Sequence, residues 1–116
     1  MNAILPLAML PDELPAVVIL LSDAARVEHV LSPRQLANSL LIREIYFFGA
    51  DAWGLHDSMD DHIVQAGVDG PITNVLASRD DVALALRELP SKGSEAGLIV
   101  AYGAGYEDVA ELLRTA

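Results

Sequence analysis

The stretch Val17–Leu21 reads VVILL and stands between Pro15 and the polar pair Ser22-Asp23. Five successive apolar residues without polar alternation predict a β-strand that is covered on both faces. Strands of this kind are typical of parallel sheets that lie between two layers of helices. This stretch therefore predicts an α/β fold.

The same order of apolar run, polar turn and amphipathic segment recurs three times downstream. The later apolar runs are 45–48 (IYFF), 72–77 (ITNVLA) and 98–102 (LIVAY). Strands that alternate with helices imply right-handed crossovers and helices on both faces of a sheet. We expect one three-layer α/β domain over residues 1–116, with four βα units around a mainly parallel four-stranded sheet. The expected arrangement is flavodoxin- or Rossmann-like, with the predicted strands in the order 2-1-3-4.

Helix boundaries carry their own signals. Ser32 followed by Pro33 and Gln35 is typical of an N-cap with a capping box, and Ser78 is a second N-cap. The second helix is predicted over 52–66, because Gly67 can adopt the left-handed backbone conformation that commonly ends a helix. The third helix should end at Pro90, because proline lacks the backbone N–H that a helix interior needs.

Composition restricts the class of protein. Hydrophobic residues make up 53% of the chain and the mean hydropathy is +0.36, yet no apolar run approaches the roughly 20 residues of a membrane span. The absence of cysteine excludes disulfides and thiolate metal sites. Residues 1–15 contain three prolines and no basic region, so we expect an N-terminal arm that packs on the domain or on a partner subunit, and a cytoplasmic location.

The charge balance restricts the partners. The chain contains seven Lys and Arg residues and seventeen Asp and Glu residues, and the net charge is −10. Nucleic acids and anionic membranes are bound mainly through Lys and Arg, so neither is expected as a partner. A protein partner, in particular a basic one, or a metal cation suits this charge better. A homo-oligomer remains open.

The first candidate site is the carboxyl edge of the predicted sheet, where parallel sheets bind their ligands. Carboxylates there could hold Mg²⁺ or another divalent cation, whereas the simpler interpretation is that they cap helices and turns and that the glycines serve turn geometry. We favour the simpler interpretation and expect no resident cofactor. The candidate residues are Asp23, Asp51, Ser78, Asp80, Gly103 and Gly105.

The second candidate site is the acidic segment 51–62. No Lys or Arg occurs between Arg43 and Arg79, whereas six acidic residues do. A solvated helix face is the favoured interpretation, and a docking surface for a basic partner and a metal site are the alternatives. The docking surface would consist of Trp53, Asp57, Asp60 and Asp61, and the metal ligands would be His56 and Asp60, one helical turn apart. For Trp53 itself, a core position is favoured over an exposed one.

One stretch carries a resemblance. The run Tyr46-Phe-Phe-Gly, followed by Trp53-Gly54 and by His56-Asp57 with Asp60, resembles an uncharacterised bacterial family of small α/β domains. The resemblance implies a bacterial, cytosolic protein and carries no activity.

No catalytic set is assembled in the sequence. A cysteine nucleophile, a G-x-S-x-G elbow and the residues of a phosphoacceptor receiver are all missing. The leading hypothesis is therefore a non-catalytic acidic interaction module of the immunity-protein, antitoxin or adaptor type. The alternative is a small metal-dependent enzyme or nucleotide-binding domain that uses Asp23, Asp51 and His56. A third possibility is an assembly subunit that is connected through its N-terminal arm.

Overall fold

A parallel sheet organises the residues that the structure, a computed structural model, describes: 2–24, 26–39, 42–67, 71–92 and 97–115. Within these ranges the sheet has five strands, and every pairing between them is parallel. The strands are β1 (Asn2–Pro6), β2 (Val17–Leu21), β3 (Glu44–Phe48), β4 (Ile72–Val75) and β5 (Leu98–Tyr102). Their spatial order is β1-β5-β2-β3-β4. The predicted α/β class and the parallel sheet are confirmed, and the arrangement is compatible with a Rossmann-like fold.

The predicted number of strands was wrong. Asn2–Pro6, expected to be part of an arm, forms β1 and pairs with β5 from Asn2↔Leu98 to Pro6↔Tyr102. Without β1, the backbone N–H and C=O groups along one edge of β5 would have no partner in the sheet. The following segment turns over the sheet, and Leu7 and Leu10 pack against its core.

The predicted strand order was also wrong. The four predicted strands correspond to β2, β3, β4 and β5, so the order 2-1-3-4 means β3-β2-β4-β5 and would place β4 beside β2. In the structure β5 lies beside β2, in register from Val17↔Leu98 to Leu21↔Tyr102. The physical reason is burial. β5 is buried along Leu98–Ala101 and fits the centre of the sheet, whereas β4 carries Thr73 and Asn74 and lies at an edge.

Four helices cover the two faces of the sheet in the described part of the chain. On one face lie α1 (Pro33–Asn38) and α2 (Ala52–Ala66), and on the other lie α3 (Arg79–Lys92) and α4 (Glu107–Thr115). A short 3-10 turn, Val27–His29, precedes α1. The predicted three-layer arrangement is confirmed.

Alternate side chains of β2 enter the two cores, as the period of a strand requires. Val18 and Leu20 pack on the α2 side with Leu55 and Met59, and all four are fully buried. Their neighbours along the strand join the core on the α3 and α4 side, namely Val17, Ile19 and Leu21.

The predicted helix starts are confirmed. The Ser32 Oγ accepts from the Gln35 N–H at 3.1 Å, and the Gln35 Oε1 accepts from the Ser32 N–H at 2.8 Å, which completes the capping box. The Ser78 Oγ accepts from the Asp81 N–H at 3.2 Å. Helix α2 has the predicted bounds, and Gly67 ends it at φ 67°.

Pro90 does not end the third helix, since α3 continues to Lys92. A proline lacks only the hydrogen bond that its own N–H would donate. Near the end of a helix this loss is tolerated, because the last four C=O groups have no partner within the helix in any case. Among the described helices, none is both long enough and apolar enough to cross a membrane.

Candidate functional site

The carboxyl edge of the sheet, called the rim below, is tied together by one carboxylate. Asp23 follows β2, and its Oδ1 accepts a hydrogen bond from the Ala50 N–H at 2.8 Å, just after β3. The same oxygen accepts a hydrogen bond from the Tyr106 hydroxyl, which lies beyond β5. The ends of three adjacent strands therefore meet at Asp23. These two donors, the Tyr106 hydroxyl first, hold the pKa of Asp23 below its ordinary value of 3.8.

Tyr106 is the buried partner in this pair. The residue is 9% exposed, and its ring meets that of Phe48 edge to face, with the ring centroids 6.0 Å apart. Burial and the neighbouring Asp23 carboxylate raise the pKa of Tyr106 to about 12. The hydroxyl therefore stays protonated near neutral pH and keeps donating to Asp23.

The crevice beside β2 is closely packed by the chain itself. A Cβ atom at Gly49 would lie 1.8 Å from the Ser22 carbonyl oxygen, so the turns after β2 and β3 touch through their backbones. A Cβ atom at Gly103 would lie 3.1 Å from the Leu7 Cδ1, so the N-terminal segment lies over the turn after β5. Ligands of doubly wound sheets bind in such a crevice, and here the protein's own groups occupy much of it.

The other rim residues take no part in the hydrogen bonds of Asp23. Asp51 occupies the N-cap position of α2 without making a side-chain capping bond, and Asp80 is exposed in the first turn of α3. Gly105 adopts φ 94°, and its N–H donates to the Glu107 Oε2 at 3.0 Å, which fits the predicted role in turn geometry. The described residues Asp23, Asp51 and His56 do not form a group that could hold a metal ion. Within the described ranges, no three His, Asp or Glu side chains form a group that could hold a metal ion.

The second candidate site lies on the solvent side of α2. Trp53 is 66% exposed, so the expectation that it belongs to the core was wrong. The reason is helical spacing: Leu55 and Met59 form the buried stripe of α2, and Trp53 lies on the opposite side of the helix.

An acidic and apolar stripe runs along this side of α2. Spacings of four, three and four residues separate Trp53, Asp57, Asp60 and Val64, which therefore lie on one line along the helix, and Asp61 flanks them. All five side chains are exposed, Val64 to 79%. We call this stripe the acidic α2 face; it consists of Trp53, Asp57, Asp60, Asp61 and Val64.

Two contacts are made at the start of the acidic α2 face. The rings of Trp53 and His56 meet edge to face with their centroids 5.5 Å apart. The His56 Nδ1 lies 3.5 Å from the Asp57 Oδ1, and the Asp57 side chain remains 81% exposed. In the described part of the chain, no Lys or Arg pairs with any of the three Asp residues of the face. The face therefore presents an aromatic ring beside uncompensated negative charge.

Two further polar residues were not identified as candidates from the sequence. Tyr106 belongs to none of the motifs in the sequence, and its bond to Asp23 joins residues 83 positions apart, which no local pattern reports. His62 is 3% exposed, and its Nε2 has no hydrogen-bond partner among the described residues. The spacing of His62 from Leu55 and Met59 places it on the buried stripe of α2, and this signal was available in the sequence.

Comparison of the chain with protein-family models, with curated proteins and with solved structures found no match. The resemblance over Tyr46–Asp61 therefore stays a prediction from the sequence.

Proposed function

We propose that this protein is a non-catalytic interaction module that binds a basic protein partner through the acidic α2 face. The observation that carries the proposal is Trp53, which is 66% exposed on the same helix face as Asp57, Asp60 and Asp61. Tryptophan is usually well buried in folded proteins and is the side chain most enriched among residues that dominate binding energy.

The charge of the molecule supports the same partner. The net charge is −10, and residues 44–78 contain no Lys or Arg. Negative charge concentrated on one face attracts a basic protein and speeds the encounter, particularly at low ionic strength. A second copy of this chain would bring like charges together on this face, so a homo-oligomer through α2 is disfavoured.

An immunity protein, an antitoxin or an adaptor would each use such a surface, and the proposal extends to this class. A metal-dependent enzyme or nucleotide-binding domain has less support. Its central carboxylate, Asp23, already accepts two hydrogen bonds, and the neighbouring turns are in backbone contact at Gly49.

The experiment is a comparison of immobilised proteins in an extract of the organism of origin. The bait proteins are the wild type, the triple variant Asp57→Asn, Asp60→Asn, Asp61→Asn, and the control Asp80→Asn. Asp80 is an exposed acid on α3, across the sheet from α2. Retained proteins are identified by mass spectrometry at low and at high salt.

We expect a basic protein that the wild type and Asp80→Asn retain, that the triple variant does not retain, and that high salt releases. Retention that is the same on all three baits, or that does not weaken with salt, would contradict the proposal.

A further inference from the structure

We infer that Trp53 receives an arginine side chain of the partner, with the guanidinium over the indole and its N–H groups directed at Asp57. This inference rests on the proposed function and names the chemical group that the acidic α2 face recognises. Three features of this face support it: the exposed ring, the carboxylate one helical turn away, and the lack of a contact with Lys or Arg from the described part of the chain.

The exposed ring is already oriented. The edge-to-face contact with His56, at 5.5 Å between the centroids, restricts the indole from one side, while 66% of the residue stays accessible. A side chain that is held before binding loses less conformational entropy when a partner docks on it. The electron-rich face of an indole is the strongest aromatic acceptor for a cation in proteins.

Two carboxylates lie on the same side of α2 as the Trp53 ring. Asp57 follows Trp53 by one helical turn, and Asp60 follows by two, so both lie on the side of the helix that carries the ring. Asp57 is 81% exposed in its side chain, and its Oδ1 lies 3.5 Å from the His56 Nδ1. A cation above the ring would therefore find a carboxylate within reach of the same side chain.

Arginine fits this pair of groups better than lysine. The planar guanidinium stacks on an aromatic ring and can still donate to a carboxylate in its own plane, whereas an ammonium is a compact and strongly hydrated point charge. Within the described ranges, two of the chain's own arginines form ion pairs elsewhere, Arg26 with Glu28 and Arg79 with Asp108. No cation–π contact to Trp53 is formed within these ranges, so the position is left for a group from outside.

The test uses dye-labelled hexa-arginine and hexa-lysine peptides as probes, with binding followed by fluorescence anisotropy at low salt. Trp53→Leu keeps an apolar side chain and removes the aromatic ring. Leu84→Ala is the control for the loss of an exposed apolar side chain, because Leu84 is 48% exposed on α3. Asp57→Asn is compared with Asp80→Asn, which removes one exposed charge on the other side of the sheet.

We expect Trp53→Leu to weaken hexa-arginine binding by about fivefold or more, the change that corresponds to a cation–π contact, and to alter hexa-lysine binding much less. Asp57→Asn should weaken hexa-arginine binding more than Asp80→Asn does. Trp53 is the only tryptophan of the chain, so its emission in the wild type should also change with hexa-arginine more than with hexa-lysine.

Two outcomes would overturn the inference. In the first, Trp53→Leu binds hexa-arginine as the wild type does, while the triple Asn variant no longer binds it. This would contradict the arginine contact of Trp53 but not the proposed docking of a basic partner on the acidic α2 face. If neither the tryptophan nor the three acids affect binding of either peptide, the inference and the proposed function are both contradicted.

Discussion

At the scale of single residues, Asp23 shows how a side chain after a strand can join distant parts of the chain. Its Oδ1 accepts hydrogen bonds from Ala50 and from Tyr106, which follow two different neighbours of β2. Both donors stabilise the ionised carboxylate and lower its pKa. The bond between Asp23 and Tyr106 therefore depends on pH, and the sign of that dependence can be derived.

A carboxyl whose pKa is lower in the folded state stabilises the fold above its unfolded pKa, here about 3.8, and loses this effect as the pH falls through the folded value. We expect Tyr106→Phe to raise the pKa of Asp23 towards 3.8, as measured by carbon-detected NMR of the carboxyl group. Tyr46→Phe is the matched control, because the Tyr46 hydroxyl donates to Glu44 at 3.3 Å. An Asp23 pKa that does not differ between the wild type and Tyr106→Phe would contradict this account of the rim.

Gly49 tests the close contact between the turns after β2 and β3. A Cβ atom there would lie 1.8 Å from the Ser22 carbonyl oxygen, so Gly49→Ala must displace backbone. We expect a loss of about 3 kcal/mol in the free energy of unfolding, the upper end for overpacking, measured by urea denaturation. Gly67→Ala is the control. It has φ 67° and no atom within 4 Å of the added Cβ, so its cost is about 1 kcal/mol from the backbone conformation alone. Equal losses in the two variants would show that the turns do not touch.

At the scale of secondary-structure elements, α1 is a helix of six residues that depends on its N-terminal cap. Ser32→Ala removes the oxygen that accepts the Gln35 N–H and leaves that donor without its partner. We expect a loss of about 1 kcal/mol in the free energy of unfolding, measured by chemical denaturation. A change close to zero would mean that tertiary packing alone sets the start of this helix.

The three Asp residues of the acidic α2 face should contribute to binding and little to the stability of the fold. Asp57 and Asp61 stand one turn apart, and like charges at this spacing repel each other. Neutralising the three Asp residues of the acidic α2 face should therefore leave the free energy of unfolding within about 0.5 kcal/mol of the wild type, or raise it slightly. Thermal and urea denaturation of the triple Asn variant test this, and a large loss would mean that the acids serve the fold.

Local signals predicted most of the elements and little of their arrangement. The bounds of β2, β5 and α2 follow from uninterrupted apolar runs and from a helix that ends at Gly67. Trp53 was wrongly expected in the core, whereas the spacing of Leu55 and Met59 puts it on the outer side of α2. Helical periodicity was therefore the better guide to its exposure.

At the scale of the whole molecule, the pairing of strands is long-range and was predicted poorly. β1 and β5 lie at opposite ends of the chain and pair along their whole length, and no local pattern reports this. A partial signal was present: β4 contains Thr73 and Asn74, which suit an edge strand, whereas β5 is apolar throughout and suits the centre. The hydrogen bonds that join the rim at Asp23 were not predicted, because they connect residues far apart in the chain.

The net charge of −10 also acts at this scale, since it determines which molecules approach. The rim is packed by the chain's own groups, whereas the acidic α2 face is exposed along its length. We therefore propose that recognition occurs on the outer side of a helix and not at the strand ends, where parallel sheets commonly bind their ligands.

The most direct test is to map the binding of hexa-arginine on the ¹⁵N-labelled protein by NMR. The account predicts that the largest shift changes occur at the Trp53 indole N–H and at the backbone amides of Asp57, Asp60 and Asp61. Changes confined to the strand ends at Asp23, Gly103 and Gly105, or spread evenly over all acidic residues, would contradict it.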